Sequence, residues 1–138
     1  MIRNRRTKTG HKPVFLLPKE SLEIEREIFG KVIIKPRDDI AWIGVKHKRK
    51  VVAYVGYWIH GKNCKIVIMG VVPQFRGLGL QRLLIEQVLM VVRGQVDRIW
   101  AEVGVDNHHS FDNFAKMGFS TEIIINEFCI VSKLGFIF

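Results

Sequence analysis

Period-two alternation and helical spacing succeed one another along this chain, and each change of period marks an element. Val14–Leu17 reads as a first strand. Pro18 to Phe29 sets Leu22, Ile24, Ile28 and Phe29 along one side, with a proline near its start and Gly30 behind it, so a short helix is expected there. Lys31–Lys35 suits a brief strand or an extended loop, and Pro36-Arg37-Asp38-Asp39 a turn. A meander of three strands comes next. These are Ala41–Lys46, then Val51–Ile59, rich in Val, Tyr and Trp, then Cys64–Val72. Lys48-Arg49-Lys50 and His60-Gly61-Lys62-Asn63 are the turns between them.

From Gly77 to about Arg93 the period becomes helical. Leu80, Leu83, Leu84, Val88 and Val91 share a side, and Gly94 ends the pattern. Arg98–Val105 is an apolar strand. A helix crossover joins it to Cys64–Val72, so the two are expected to run parallel. His108–Met117 is a short helix, and Phe119–Glu127 and Phe128–Phe138 are closing strands. The sum is an α/β fold, a mixed and mostly antiparallel central sheet with one βαβ unit. At 138 residues it makes a single domain, residues 14–138, behind a flexible basic arm at residues 1–13.

Inside the βαβ unit, Val71-Val72-Pro73-Gln74-Phe75-Arg76-Gly77-Leu78-Gly79-Leu80-Gln81 carries the most chemistry. Gly77 and Gly79 let the backbone turn tightly and come close to a ligand. The helix behind them offers free N–H groups and the positive end of its dipole, and Arg76 adds a cation. Such a loop suits a phosphate or pyrophosphate. A turn that uses glycine for geometry alone would look similar. The two commoner phosphate loops are excluded: Leu80 follows Gly79 where the Walker pattern needs lysine, and Arg82 stands where the dinucleotide fingerprint needs its third glycine.

Gln74-x-x-Gly77-x-Gly79 fits the pattern Q/R-x-x-G-x-G/A. With the approach Val71-x-Pro73-x-x-Arg76-Gly77, it resembles the cofactor loop of the GNAT family of N-acetyltransferases. A later segment is similar to theirs too: Asn107, Ser110, then Phe114-Ala115-Lys116-Met117-Gly118-Phe119. The two cover roughly residues 51–125. The resemblance implies acetyl-CoA as cosubstrate, transfer of its acetyl group to a primary amine, and an acyl-CoA-binding role for the βαβ unit. It implies that Arg76, Gly77, Leu78, Gly79, Leu80 and Gln81 hold the pyrophosphate through backbone N–H groups. Val71, flanked by Val72 and Gln74, would line the pantetheine arm, its backbone polarising the acetyl carbonyl. Asn107, Ser110 and Phe114 would complete the cofactor site, although Asn107 also suits a plain strand-end turn. Family members usually place two helices near the N-terminus to shape the acceptor pocket. Only one is convincing here, so an open acceptor side is expected.

The catalytic groups are less evident. Many members of that family carry a tyrosine at the place of Phe114 as the acid for the departing thiolate, and phenylalanine has no proton to give. No Asp, Glu or His lies between Gly61 and Pro73. Glu102 is the best candidate base, because burial in an apolar strand raises the pKa of a carboxyl toward the useful range. A solvated surface carboxylate is the alternative. Period-two alternation puts Trp100, Glu102 and Gly104 on one face and Ala101, Val103 and Val105 on the packed one. His60 is the second candidate. His108 and His109 are adjacent on a helix and point apart, with no third ligand in sight, so no metal site is expected. A GNAT-like protein that binds or assembles without catalysis is a second reading, motivated by Phe114 and the missing strand carboxylate.

The formal net charge of +9 is unevenly placed. Arg3, Arg5, Arg6, Lys8 and Lys12 form the basic arm, and Lys46, Lys48, Arg49 and Lys50 a cluster at a hairpin. An anionic partner, nucleic acid included, is therefore a third reading beside that of a solvated turn and tail. Few aromatics are interleaved for base stacking. Cys64 and Cys129 fall in strands and are expected to be buried thiols in a reducing compartment. No apolar run has the length of a transmembrane helix and no signal-peptide core follows the basic start, so a cytoplasmic protein without membrane attachment is expected. The apolar end Gly135-Phe136-Ile137-Phe138 would be an exposed edge unless paired, and a homodimer would cover it.

Overall fold

The computed structural model describes residues 11–34 and 38–134. Strands β1 (Pro13–Phe15), β2 (Ala41–His47), β3 (Lys50–His60) and β4 (Asn63–Val71) pair as an antiparallel meander. Strand β5 (Arg98–Gly104) joins β4 in parallel, and β6 (Ser120–Ile125) and β7 (Phe128–Leu134) close the sheet antiparallel, in the order β1-β2-β3-β4-β5-β7-β6. Three helices accompany it: α1 (Pro18–Phe29), α2 (Leu80–Val92) and α3 (His108–Lys116). The expected α/β class, mixed sheet and βαβ unit are all present.

Helix α1 begins where Glu20 accepts the Leu17 N–H at 2.9 Å. It stops at Gly30, whose φ of +76° suits glycine. It lies on the sheet face that carries Trp42 and Tyr54, stacked at 5.9 Å. A Cβ on Gly70 would sit 2.8 Å from the Tyr54 ring, so glycine is what lets that ring lie flat on β4. Helix α2 sends Leu80, Leu83, Leu84, Val88, Leu89 and Val92 into the core.

Some expected boundaries move for identifiable reasons. Helix α2 starts at Leu80 instead of Gly77, because Gly77 and Gly79 adopt φ of +81° and +78°. Strand β5 ends at Gly104, and Val105 is 40% exposed instead of packed. Residues 11–13, expected to belong to the arm, lie against the fold. His11 is buried, bonded to the His47 ring at 2.9 Å and set against Phe75, and Pro13 is already in β1. Arg3, Arg5, Arg6 and Lys8 lie outside the described residues, as do Lys35, Pro36, Arg37 and residues 135–138. Residues 31–34 form no strand.

The site is prepared by β4. Its ladder with β3 skips Val67: Tyr57 faces Ile66 and Gly56 faces Ile68. A bulge of this kind bends its own strand. The ladder with β5 stops at the same place, Ile66 opposite Ala101 being its last pair. Beyond it, residues 67–71 and 102–104 run on with no ladder between them.

Candidate cofactor site

The apolar β4 delivers the chain to Val71, and a single 3₁₀ turn at Pro73–Phe75 redirects it toward α2. Three N–H groups of this approach are committed inside the protein. Val72 donates to the Val52 carbonyl at 2.8 Å, Phe75 to the Val72 carbonyl at 2.8 Å, and Arg76 to the Pro73 carbonyl at 3.3 Å. Arg76 therefore cannot offer the backbone N–H expected of it. Its side chain also folds back, with Nε donating to the Val71 carbonyl at 3.3 Å. Among the described residues no backbone acceptor faces the N–H groups of Gly77, Leu78 or Gly79. The N–H groups of residues 80–82 precede the bond from Leu83 to the Gly79 carbonyl, at 3.1 Å, and so are free of the helix ladder.

A groove of about 320 Å³ opens on this loop, between Met69–Val71, the first turn of α2, the end of α1 at Ile28 and Phe29, and the side of α3. Arg76, Arg82 and Lys116 line it, against the single acid Asp112 among its described lining residues, so its wall is cationic. Gln74 and Leu78 do not line it. Gln74 is exposed on the turn, and Leu78 packs against the core. A second hollow of about 160 Å³ occupies the opening between β4 and β5 and shares Met69 and Gln81 with the groove. Glu102, Gly104, Asn107, Ser110 and Phe114 line it. One path thus leads from the cationic loop into the sheet.

Helix α3 closes that path. Asn107 caps it, its side-chain oxygen accepting the Ser110 N–H at 3.2 Å. It is thus a strand-end turn residue and a gap-lining residue together. Asn113 Nδ2 donates to Gln81 Oε1 at 2.6 Å, and Gln81 Nε2 donates to Ser110 Oγ at 2.9 Å. The Gln81 side chain, expected only to follow a backbone donor, is therefore the link between α2 and α3. Phe114 is 2% exposed and meets Phe119 edge to face, with ring centroids 4.9 Å apart. His109, Asn113 and Lys116 also line the groove and were not among the expected site residues. Their spacing, one helical face of α3, is the signal that would have found them.

Glu102 stands on the face that alternation assigns to it, with Ala101 and Val103 buried behind. The burial expected of its carboxylate is not there. The side chain is 46% exposed and accepts Lys65 Nζ at 3.1 Å, while the same ammonium lies 4.7 Å from the Trp100 ring. His60 is at the wrong end of the sheet. It pairs with Asn63, where β4 begins, whereas the loop leaves from Val71. At about 3.3 Å per residue the two lie roughly 25 Å apart. The hairpin at Gly61 and Lys62 makes His60 close to β4 in sequence but remote from its functional end.

The basic hairpin is partly neutralised. Lys46 pairs with Glu20 at 2.7 Å and Lys50 with Glu27 at 2.8 Å, so α1 screens half of the cluster expected to draw an anionic partner. Cys64 and Cys129 are buried free thiols, and burial pushes the Cys64 thiol up to about 12, too high for a nucleophile at neutral pH. No helix among the described residues is long and apolar enough to cross a membrane.

A bulged strand thus parts from its parallel neighbour beside a glycine loop suited to a phosphorylated ligand, and comparisons with known proteins show the family. The sequence profile described as "Acetyltransferase (GNAT) family" matches residues 9–119, so the chain belongs to that family. The solved GNAT domain of S. lividans PAT is similar in fold, with a TM-score of 0.79 at 13% identity over 96% of this chain and 96% of that one. The ribosomal-protein-S18-alanine N-acetyltransferase of Escherichia coli has a TM-score of 0.74 at 14% identity, over 88% and 90%. The paia N-acetyltransferase of Thermoplasma acidophilum, solved with coenzyme A, has a TM-score of 0.66 at 15% identity, over 70% and 62%. No curated protein sequence matches the chain. Family and fold together support acyl transfer from acetyl-CoA.

Proposed function

We propose that this protein transfers the acetyl group of acetyl-CoA to a primary amine. The observation that carries the reading is the parting of β4 from β5 at Val67, which joins the cationic loop groove to a hollow inside the sheet. The pyrophosphate rests on the N–H groups of residues 77–82, with Arg76, Arg82 and Lys116 supplying charge. The pantetheine arm runs along Met69–Val71 and meets the Asn107 amide. Its thioester then lies between Glu102 and Ser110.

The acceptor comes from the side of Glu102, which takes the amine's proton directly or through one water as the C–N bond forms. Lys65 must release that carboxylate first, and an incoming ammonium of like charge can replace it. Titration calorimetry and thermal shift with acetyl-CoA and CoA, followed by a transfer assay over amines and peptides, test the reading. Specific binding and acetyl transfer are expected. A second reading, binding without transfer, is favoured by the buried Phe114 and by the hold of Lys65 on Glu102. It gains if acetyl-CoA binds and no acetyl group leaves to any acceptor.

A further inference from the structure

We propose that the Ser110 hydroxyl is the hydrogen-bond donor that stabilises the departing CoA thiolate, a task Phe114 cannot perform. The inference rests on the acetyl-transfer reading above. Ser110 and Phe114 are four residues apart on α3, so they share a helix face, and both line the gap between β4 and β5. The direction of the hydrogen bonds decides what Ser110 does. Asn113, buried at 7% exposure, donates to Gln81 Oε1 at 2.6 Å. With its oxygen held there, the Gln81 amide turns its nitrogen to Ser110 and donates to Oγ at 2.9 Å. Ser110 therefore accepts from Gln81, and its own proton is left to point into the gap. A hydroxyl that accepts such a bond is a stronger donor in turn.

The chemistry balances without a net proton from serine. The amine nitrogen attacks the thioester carbon and forms the C–N bond. The C–S bond breaks with its electron pair going to sulfur. A thiol ionises at about 8.5, so sulfur can leave as thiolate. The hydroxyl, a far weaker acid, keeps its proton and shares it in a hydrogen bond with that charge. The proton shed by the amine goes to Glu102 or water. Gln81 and Asn113 are positioning residues, acting through the orientation of Ser110.

Bound CoA tests this with no acceptor present. CoA is bound to wild type, Ser110→Ala, Ser110→Thr and Gln81→Leu, and ionisation of its thiol is followed by the ultraviolet absorption of the thiolate. On wild type the thiol should ionise at lower pH than on Ser110→Ala. Ser110→Thr should restore that behaviour, and Gln81→Leu should lose part of it. Each titration is run with CoA saturating the variant, so that a change in affinity does not enter the ionisation midpoint. In single-turnover transfer, Ser110→Ala should be slower by about tenfold or more. Identical thiol titrations in wild type and Ser110→Ala overturn the proposal. That is also the outcome if both amides are turned the other way and Ser110 donates to Gln81. Failure of wild type to bind CoA overturns the acetyl-transfer reading itself, and this proposal with it.

Discussion

Glu102 stands under two demands. Its carboxylate lines the gap and it holds Lys65 at 3.1 Å. An exposed pair of this kind contributes typically about 0.2–1 kcal/mol, so Glu102→Gln should barely move the thermal midpoint. In transfer the same change should cost about 10²–10⁴-fold in kcat and keep CoA affinity. A wild-type rate would hand the role to water. Gly56 makes the opposite case, a residue that matters only for packing. A Cβ there would lie 2.5 Å from the Trp42 ring, which is stacked on Tyr54 and has little room to move. Gly56→Ala should lose about 1–3 kcal/mol in a denaturant titration. No loss would mean that the ring yields. Alternation in the sequence correctly placed Glu102 on its face. It could not reveal Lys65, because that partner comes from a neighbouring strand whose register only the folded sheet sets.

At the scale of elements, α1 was legible from Pro18 and Gly30 because both act locally. The bulge at Val67 was not, because a skipped partner exists only between two paired strands. The β2–β3 turn stands where it was expected, but its conformation was not legible: Lys48 and Arg49 take φ of +50° and +71°, which Asn or Gly normally announce. The start of α1 is sensitive to acid. The Leu17 N–H, and then Lys46, hold the Glu20 carboxyl below its ordinary value of 4.5. A carboxyl lowered on folding adds stability above its unfolded value and loses it as pH falls through the folded one. Denaturant midpoints of wild type should therefore fall more steeply below pH 4.5 than those of Glu20→Gln. Parallel curves would show these contacts to be neutral. The apolar edge expected at residues 135–138 lies outside the described residues. An apolar edge does appear at β6, where Ile123, Ile124 and Ile125 are all at least half exposed. If copies associate through this edge, Ile124→Lys should lower that association in sedimentation without loss of stability, since it removes only exposed apolar surface. Unchanged sedimentation would mean that β6 takes no part in association.

Taken whole, the molecule sets a cationic groove and a split in its sheet end to end. At the loop end Arg76, Gly77 and Gly79 were named from the sequence and line the groove, whereas Gln74 is exposed on the turn and does not. The α3 end was readable only in part. Asn107, Ser110 and Phe114 were named from the sequence and line the hollow, while His109, Asn113 and Lys116 come into the groove only once the helix is docked beside α2. Both halves of the site belong to one ligand if the central reading holds. Acetyl-CoA at a hundred times its dissociation constant should then stabilise the fold by about 2.7 kcal/mol. The most direct test is a calorimetric titration of CoA into wild type and Gly79→Glu, with circular dichroism to verify the fold of each. Gly79 has φ of +78° and only the Arg82 side chain near its Cβ position, so glutamate there costs about 1–2 kcal/mol of backbone strain and puts a carboxylate beside the pyrophosphate. The expected result is saturable 1:1 binding to wild type and none to a folded Gly79→Glu protein. No binding to wild type, or equal affinity in a folded Gly79→Glu protein, would contradict the assignment of this loop as the cofactor site.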